Sequence, residues 1–256
     1  MKILACFREE NELGISEIAE KTKLNKSTVY GLVNTLAAFR FLEQEQRTKR
    51  YRLGIGLFEL GSLVRTRMDV LEESKAICAE LVRKYSVQYG ATIHIATHSE
   101  GEVVYIAKMS PDSLAVVYSQ VGMRAPMYST GVGKAMLAYL PTSYYENFVI
   151  NKPLKAFTAH TITDPQMLTS ELNKIRLQGV AFDNEEIEPG LKCVAAPVFD
   201  YSDQSRNAIS VSFPYGKIEA VDMEELVQDV INCAKKISEK VGYIVPRHGE
   251  KAIPWE

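Results

Sequence analysis

The chain has 256 residues, 46% of them hydrophobic and 24% charged, a composition typical of a globular protein with room for two cores. The net charge of −2 argues against a protein that binds nucleic acid along its whole surface. No apolar run reaches the ~18 residues of a membrane span, and the four cysteines follow no secretory leader and form no C-x-x-C pair, so we expect a cytoplasmic protein.

The stretch from Ile15 to Leu42 has the pattern of two short helices joined by a tight connection. Ser16 is placed to cap the first helix, and Asn25 is placed to cap the second. The second helix has apolar residues at helical spacing, which predict its buried face: Val29, Leu32, Val33 and Leu36.

The opposite face of the second helix is polar or aromatic and carries no acid. A helix of this kind after a short bracing helix is what a helix-turn-helix places in the major groove of DNA. Asn34 suits adenine, and Lys26 suits phosphate or guanine. Two ordinary amphipathic helices of a globular domain are the alternative. The candidate DNA-contacting residues of this helix are Lys26, Ser27, Thr28, Tyr30 and Asn34.

A short hairpin is predicted next, from an extended run at Phe41–Glu43 through a polar turn to a return strand at Arg50–Leu53. Arg47, Lys49 and Arg50 lie at or near its tip, where cations can meet backbone phosphates. A helix-turn-helix followed by a basic hairpin predicts a winged helix-turn-helix. Residues 1–66 hold 11 Lys and Arg against 8 Asp and Glu, which agrees with a mildly basic DNA-binding head.

Three segments are therefore expected along the chain. Residues 1–53 form the winged helix-turn-helix head, residues 54–68 form a linker helix whose apolar stripe needs a partner, and residues 69–256 form a second domain. In the second domain, strand-like runs are interrupted by helices, which predicts an α+β fold on a mostly antiparallel sheet. The predicted strands are 91–97, 102–109, 114–119, 180–183, 193–200 and 207–213, and the predicted helices are 69–85, 133–140, 144–150, 165–178 and 218–241, before an irregular tail.

The chain resembles the IclR family of bacterial transcriptional regulators. The resemblance rests on LNKSTVYGLVNTL in the head, MYSTGVGKAMLAYLP in the middle, and DNEEIEPGLKCVAAPVFD followed by AISVSFP near the end. These segments occur in family order and at family spacing. Within the family, YSTGVGK, DNEEIEPGL and ISVSFP look most like the branch that regulates pectin and 2-keto-3-deoxygluconate catabolism.

This resemblance implies a regulator, expected to be a repressor, with a winged helix-turn-helix head and a GAF-like effector-binding domain. It implies double-stranded operator DNA as one partner and a small carboxylate, a keto or sugar acid, as the effector. It also implies homodimers formed through the heads and linker helices, with pairing into tetramers through the effector domains. No cofactor and no membrane partner is expected.

The loop from Ser129 to Lys134 runs into a predicted helix, where bare backbone N–H groups and the helix dipole can hold an anion. The family binds its ligand carboxylate at amides that correspond most nearly to Gly131 and Val132. The alternative is a plain loop-to-helix turn. The resemblance places polar pocket residues at Asp183, Cys193, Ser210 and Ser212, and we expect further pocket positions at Leu114, Val117, Ala125, Met127, Tyr128 and Leu191.

Other chemistries fit less well. Lys134 lacks the glycine spacing of a phosphate-binding loop, and the acidic run that includes Glu186 is expected to be solvated. His94 and His98 face one side of a predicted strand without an evident third ligand, so no metal site is expected. We expect no catalytic residues, although a Cys193 nucleophile remains the enzymatic alternative. Gly31, where much of the family has Arg, keeps open an interaction module with weakened DNA binding.

Overall fold

A computed structural model of the chain describes residues 1–8, 10–110, 119–214 and 216–244. The chain divides into two compact units, Met1–Met68 and Asp69–Glu256. The predicted strand at 114–119, except for Ser119, and the tail beyond residue 244 lie outside the described residues. Along the described stretches, no helix combines the length and the apolar character needed to cross a membrane.

The first unit is a helical head with a two-stranded wing, which confirms the predicted winged helix-turn-helix. Its core gathers apolar side chains from the helices and from both wing strands, including Ile18, Val29 and Leu42. Strands β1 and β2 pair in antiparallel register. The elements are α1 (Lys2–Ala5), α2 (Ile15–Thr22), α3 (Lys26–Ala38), β1 (Leu42–Gln44), β2 (Tyr51–Leu53) and α4 (Ile55–Arg65).

The caps of the two central helices differ in how well they were predicted. Asn25 caps α3 as expected, because its Oδ1 accepts a hydrogen bond from the N–H of Thr28 at 2.8 Å. The predicted Ser16 cap is wrong, since α2 already begins at Ile15. There the Oε2 atom of Glu17 accepts a hydrogen bond from the N–H of Gly14 at 2.7 Å, so a carboxylate reaches back to satisfy the helix start.

The buried face of α3 is narrower than predicted. Val29 and Val33 are fully buried and Leu36 is half-buried, but Leu32 remains 46% exposed. Three residues along a helix turn by about 300°, so Leu32 lies about 60° from Val29, on the edge of the stripe that packs into the core of the head.

The second unit is built on an antiparallel sheet that confirms the predicted α+β class. Within its described part, six strands lie in the order β5-β4-β3-β8-β7-β6. The strands are β3 (Thr92–Ser99), β4 (Glu102–Met109), β5 (Arg124–Pro126), β6 (Ala181–Asn184), β7 (Leu191–Val198) and β8 (Asn207–Pro214). The helices are α5 (Asp69–Leu81), α6 (Val87–Tyr89), α7 (Gly131–Leu137), α8 (Thr142–Tyr145), α9 (Pro165–Gln178) and α10 (Met223–Lys240), with wider helical turns at Val82–Ser86 and Glu146–Ile150.

Helices cover both faces of this sheet. On one face, α5 lies beside α10, where the Sγ atoms of Cys78 and Cys233 are 3.8 Å apart. On the other face, α7 lies so close to β7 that a Cβ atom built on Gly131 would be 3.3 Å from Cβ of Ala195. The side chains of Asp183 and Cys193 therefore lie on the face of the sheet that meets the start of α7.

Two predicted helices have different ends in the structure. The expected closing helix at 218–241 is split, because Asp222 caps α10 by accepting the N–H of Glu225 at 3.1 Å, after a 3₁₀ turn at Lys217–Ala220. Helix α7 begins two residues earlier than expected, because Oγ1 of Thr130 accepts the N–H of Gly133 at 3.2 Å.

Candidate functional site

The predicted recognition face of α3 is accessible over its whole length, and Tyr30 is 57% exposed. Ser27 donates its hydroxyl to the Oδ1 atom of Asn25 at 2.8 Å, so this side chain also supports the helix cap. Such a face can offer both hydrogen-bond donors and acceptors to base edges. All five candidates are exposed: Lys26, Ser27, Thr28, Tyr30 and Asn34.

Gly31 lies in the middle of this face, and nothing lies within 4 Å of the position that a Cβ atom would occupy. No close packing therefore requires a glycine there. The helix continues through it, with Oγ1 of Thr35 donating to the carbonyl oxygen of Gly31 at 3.0 Å.

The wing holds two of its three predicted cations in solvent. Arg47 and Lys49 are exposed in the turn between β1 and β2. Arg50 is placed differently: its guanidinium is half-buried, lies 2.8 Å from Oε2 of Glu17 and donates to the carbonyl oxygen of Glu12 at 3.0 Å. Arg50 thus ties the wing to the start of α2, and its charge is already paired within the head.

The second unit contains a cavity of about 470 Å³ on the face of the sheet that also carries α7. Each of the six strands contributes to its wall. The lining residues are His94, Tyr105, Ser119, Met123, Arg124, Ala125, Pro126, Thr130, Gly131, Val132, Phe157, Asp183, Ile187, Glu188, Pro189, Leu191, Cys193, Ser210 and Ser212.

The structure brings together eight of the twelve predicted pocket residues. Leu114 and Val117 lie outside the described residues. Met127 and Tyr128 are described, but they do not line the cavity. The eight that line it are Ala125, Gly131, Val132, Asp183, Leu191, Cys193, Ser210 and Ser212.

Met127 was expected as an apolar wall and Tyr128 as a further pocket position, and the structure places both outside the cavity lining for a shared reason. They lie in a 3₁₀ turn that packs into the core beneath α7, where Met127 is fully buried. The hydroxyl of Tyr128 donates to the carbonyl oxygen of Lys155 at 2.9 Å. The phenol therefore holds a neighbouring loop, and the tight turn directs it away from the cavity.

The loop before α7 is fixed by its glycine content. A Cβ atom on Gly133 would lie 2.3 Å from the carbonyl oxygen of Met127, so only glycine fits there without movement of the backbone. Gly131 and Val132 are the first two residues of α7, and a helix leaves the N–H groups of its first turn without partners inside the helix. Both residues line the cavity.

Below this loop lies a buried group of charges that corrects the expected solvation of the acidic run. Glu186 is buried and forms an ion pair with the ammonium group of Lys134, which is also fully buried. Asp183 accepts the N–H of Glu186 at 2.8 Å. Burial raises the pKa of Asp183 to about 7, and the N–H of Glu186 opposes this rise.

Cys193 lies beside Asp183, with its Sγ atom 3.9 Å from Oδ2 of that residue. Burial and the neighbouring carboxyl group raise the pKa of the thiol well above its ordinary value. A thiol in these surroundings is a poor nucleophile, which argues against the enzymatic alternative.

His94 and Ser119 are the pocket residues that sequence reasoning most clearly missed. His94 is on the face of β3 that points into the cavity, directly opposite Ser210 in the sheet. Alternation along β3 predicts which residues of that strand share a face with His94. It does not predict that His94 lies opposite Ser210, because the pairing of β3 with β8 joins residues more than a hundred positions apart. Nδ1 of His98 instead lies 2.9 Å from the hydroxyl oxygen of Tyr144, and this oxygen accepts the N–H of Gly101 at 3.0 Å.

Among the described residues, no group of three or more His, Cys, Asp or Glu side chains converges as metal ligands do. The cavity lining places hydrogen-bonding groups on an apolar background. It includes the hydroxyls of Ser119, Ser210 and Ser212, the Asp183 carboxyl group and the His94 ring.

Comparison with known proteins agrees with these two units. Residues 1–46 match the IclR helix-turn-helix domain, and residues 63–239 match the C-terminal domain of the bacterial transcriptional regulator IclR. The chain is 34% identical to the HTH-type transcriptional regulator KdgR of Escherichia coli over 94% of this chain and 90% of that protein. It is 33% identical to KdgR of Dickeya chrysanthemi over 94% of this chain and 78% of that protein.

The IclR crystal structure from Thermotoga maritima superimposes with a TM-score of 0.66 at 32% identity, covering 94% of this chain and 96% of that chain. The two KdgR proteins confirm the predicted branch of the family. The motifs, the fold and these matches lead to one conclusion: the chain belongs to the IclR family of bacterial transcriptional regulators.

Proposed function

We propose that this regulator represses transcription by binding operator DNA and that a keto or sugar acid in the cavity changes its operator affinity. Residues 1–53 bind DNA, residues 54–68 form the linker helix, and residues 69–256 bind the effector. The observation that carries this proposal is the cavity, because its lining combines backbone and hydroxyl hydrogen-bonding groups with apolar side chains.

The cavity suits a small acid at the loop end. The carboxylate is placed at the N–H groups of Gly131 and Val132, beside the hydroxyl-capped turn of Thr130. Asp183 and Cys193 face the same region, and Ser210 and Ser212 supply hydroxyls farther along the sheet. Apolar contacts come from Ala125, Val132 and Leu191, with Phe157 and Ile187 among the walls that sequence reasoning missed.

The DNA contacts are assigned to the exposed face of α3 and to the wing. Tyr30 and Asn34 read bases, Lys26 with Ser27 and Thr28 contacts phosphate or base edges, and Arg47 and Lys49 contact phosphates. Arg50 is left out of this set because Glu17 already pairs with it.

The regulator acts as a homodimer through its heads and linker helices, in the cytoplasm where operator DNA is found. Helix α4 supports this assembly, because its apolar side chains remain exposed in the single chain, with Phe58 at 71% and Leu63 at 58%. A surface of this kind is typical of protein interfaces.

A DNA-binding titration tests the wing directly. We expect binding to the upstream region of the protein's own gene to weaken with salt, and the double variant Arg47→Gln/Lys49→Gln to lower the slope of log K against log salt by about two. The matched variant Lys152→Gln/Lys240→Gln removes two exposed cations from the second unit and keeps the slope. Equal slopes for both double variants would contradict the assigned wing contacts.

The second candidate is an interaction module that no longer binds DNA specifically, and the exposed Gly31 is the observation that favours it. Its signature is equal affinity for operator and unrelated DNA in the same titration. A salt-dependent preference for the operator rules it out.

A further inference from the structure

The polar wall of the cavity contains a chain of four hydrogen-bonding side chains centred on His94. Nε2 of His94 lies 2.7 Å from Oγ of Ser119, and Nδ1 lies 3.3 Å from Oγ of Ser212. Oγ of Ser210 lies 3.5 Å from Oγ of Ser212. All four side chains line the cavity and are at least nine-tenths buried.

The ring of His94 remains neutral in this position. Burial, together with the ammonium group of Lys108, its cross-strand neighbour on β4, lowers the pKa of His94 to about 3. The ring of Tyr105 packs against it with the two centroids 5.2 Å apart and fixes its orientation. A neutral imidazole has one donor and one acceptor nitrogen, and each here faces a hydroxyl that can play either part.

Either tautomer therefore satisfies the ring, and the serine hydroxyls at its two sides can turn to suit a ligand. If Nε2 donates to Ser119, the Ser119 hydroxyl is free to donate into the cavity. In the other tautomer Nδ1 donates to Ser212, and the Ser212 hydroxyl is the free donor. Such a chain suits ligand hydroxyls, which also donate and accept, better than the methylene groups of an unsubstituted acid.

The position of these four hydrogen-bonding side chains also sets the length of a matching ligand. Gly131 lies over β7, and His94 lies on β3, with β8 between them. Strands lie about 4.8 Å apart, so the two positions are roughly 10 Å apart across the sheet. An extended six-carbon chain with C–C bonds of about 1.5 Å, plus hydrogen bonds of about 2.8 Å at both ends, reaches roughly 12 Å, whereas a three-carbon acid reaches only roughly 8 Å.

We propose that His94, with Ser119 and Ser212, is a specificity-determining group that selects acids of five or six carbons carrying hydroxyls on the end remote from the carboxylate. This inference rests on the proposed function, which places the carboxylate at Gly131 and Val132. It adds the requirement for a hydroxylated tail and the residues that read it.

The test uses 2-keto-3-deoxy-D-gluconate and 2-ketohexanoate, which share a six-carbon keto acid chain and differ in three hydroxyls, with pyruvate as the short acid. Calorimetry on the full chain measures the dissociation constant of each. We expect the wild-type protein to prefer the hydroxylated acid by about tenfold or more, since each neutral hydrogen bond contributes about 1 kcal/mol and about 1.4 kcal/mol is tenfold.

His94→Phe should reduce that preference to about onefold to twofold, chiefly by weakening 2-keto-3-deoxy-D-gluconate. His94→Gln keeps an amide donor and acceptor and should restore part of the preference. Ser119→Ala provides a second variant that removes only the far end of the chain, and we expect it to lower the preference as well. His160→Gln changes an exposed histidine and should leave all three affinities unchanged.

The outcomes separate the two proposals. If the wild-type protein binds none of the three acids, the proposed effector class is wrong, and this inference is overturned with it. If the protein binds the two six-carbon acids equally, or if the preference survives in both His94→Phe and Ser119→Ala, only the inference is overturned. The preference should also stay constant from pH 5.5 to 8, because the neutral ring does not titrate there, and a preference that changes near pH 6.5 would oppose it.

Discussion

Gly31 is the residue on the recognition face of α3 that contributes no side chain, and its surroundings leave room for one. Because glycine weakens a helix interior by about 1 kcal/mol relative to alanine, we expect Gly31→Ala to raise the free energy of unfolding by up to that amount. Gly31→Arg should also tighten operator binding and steepen the salt dependence by about one unit of slope.

Gly61 offers a matched control for this pair of variants. It lies in α4, and a Cβ atom there would also meet nothing within 4 Å. Gly61→Ala should therefore stabilise the protein similarly in denaturant titrations without changing the affinity for DNA. Equal effects of Gly61→Arg and Gly31→Arg on operator affinity would show that the added charge acts nonspecifically.

Asp183 predicts a pH dependence of folding stability. Its pKa rises from 3.8 to about 7 on folding, chiefly through burial. Between these values the folded protein holds a proton that the unfolded chain releases, so this group lowers stability as pH rises through about 4 to 7. Asp183→Asn keeps the shape and the acceptor for the N–H of Glu186 but does not titrate. The free energy of unfolding of Asp183→Asn, measured relative to that of the wild type, should therefore increase as pH rises.

Urea titrations at pH 5, 6, 7 and 8 measure that difference, with Asp203→Asn as an exposed control in a surface turn. A difference between Asp183→Asn and wild type that does not change with pH would show that the carboxyl group is ionised throughout. Effector affinity should also fall as pH rises through about 7, because an anionic ligand and an ionised Asp183 would repel each other in one cavity.

At the scale of elements, the loop before α7 depends on two glycines in different ways. A Cβ atom on Gly133 would lie 2.3 Å from the carbonyl oxygen of Met127, whereas one on Gly131 would lie 3.3 Å from the side chain of Ala195 and 3.5 Å from that of Cys193. We expect Gly133→Ala to lower the free energy of unfolding by several kcal/mol, since backbone must move. Gly131→Ala should cost about 1 kcal/mol or less and should chiefly weaken effector binding, as thermal unfolding with and without ligand can measure.

The reverse order, with Gly131→Ala the more destabilising, would contradict the described packing of this loop. A Gly131→Ala protein that folds normally yet binds no acid would instead strengthen the assignment of Gly131 to the effector site.

Local chemistry made several elements predictable from the sequence. Asn25 before α3 and Pro165 at the start of α9 are strong helix-start signals, and the structure uses both. The cap at Gly14 was hidden, because its acceptor is the side chain of Glu17, three residues on. The break before α10 was likewise missed, since the predicted helix ran through Asp222, which in the structure is the cap of α10.

The site was predictable where it depends on a continuous segment and less so where strands meet. The loop at Gly131 and the alternating Ser210 and Ser212 lie in short segments whose resemblance to the family marked them as pocket positions. The contact between His94 and Ser119 depends on which strands are neighbours and on how a loop folds over them. Long-range pairing of this kind leaves no local pattern, and the same is true of the buried pair of Lys134 and Glu186.

For the whole molecule, the exposed apolar face of α4 predicts an assembly. Phe58, Leu60 and Leu63 are each about half exposed or more. Desolvating such side chains between two chains contributes roughly 25 cal/mol per Å² of apolar surface. We expect Phe58→Glu to shift the protein from dimer to monomer in sedimentation or light scattering and to weaken operator binding, while Leu177→Glu, at another exposed apolar residue, changes neither. A Phe58→Glu protein that remains dimeric would place the interface elsewhere.

The most direct measurement is the affinity of the full chain for the upstream region of its own gene and its neighbours, by fluorescence anisotropy at several salt concentrations. The titration is repeated with 2-keto-3-deoxy-D-gluconate, 2-ketohexanoate and pyruvate. We predict specific, salt-dependent binding that the hydroxylated six-carbon acid changes by tenfold or more, in line with coupling free energies of about 1–3 kcal/mol between two sites. Equal, weak binding to operator and unrelated DNA, unaffected by every acid, would contradict the account of this chain as an effector-controlled regulator.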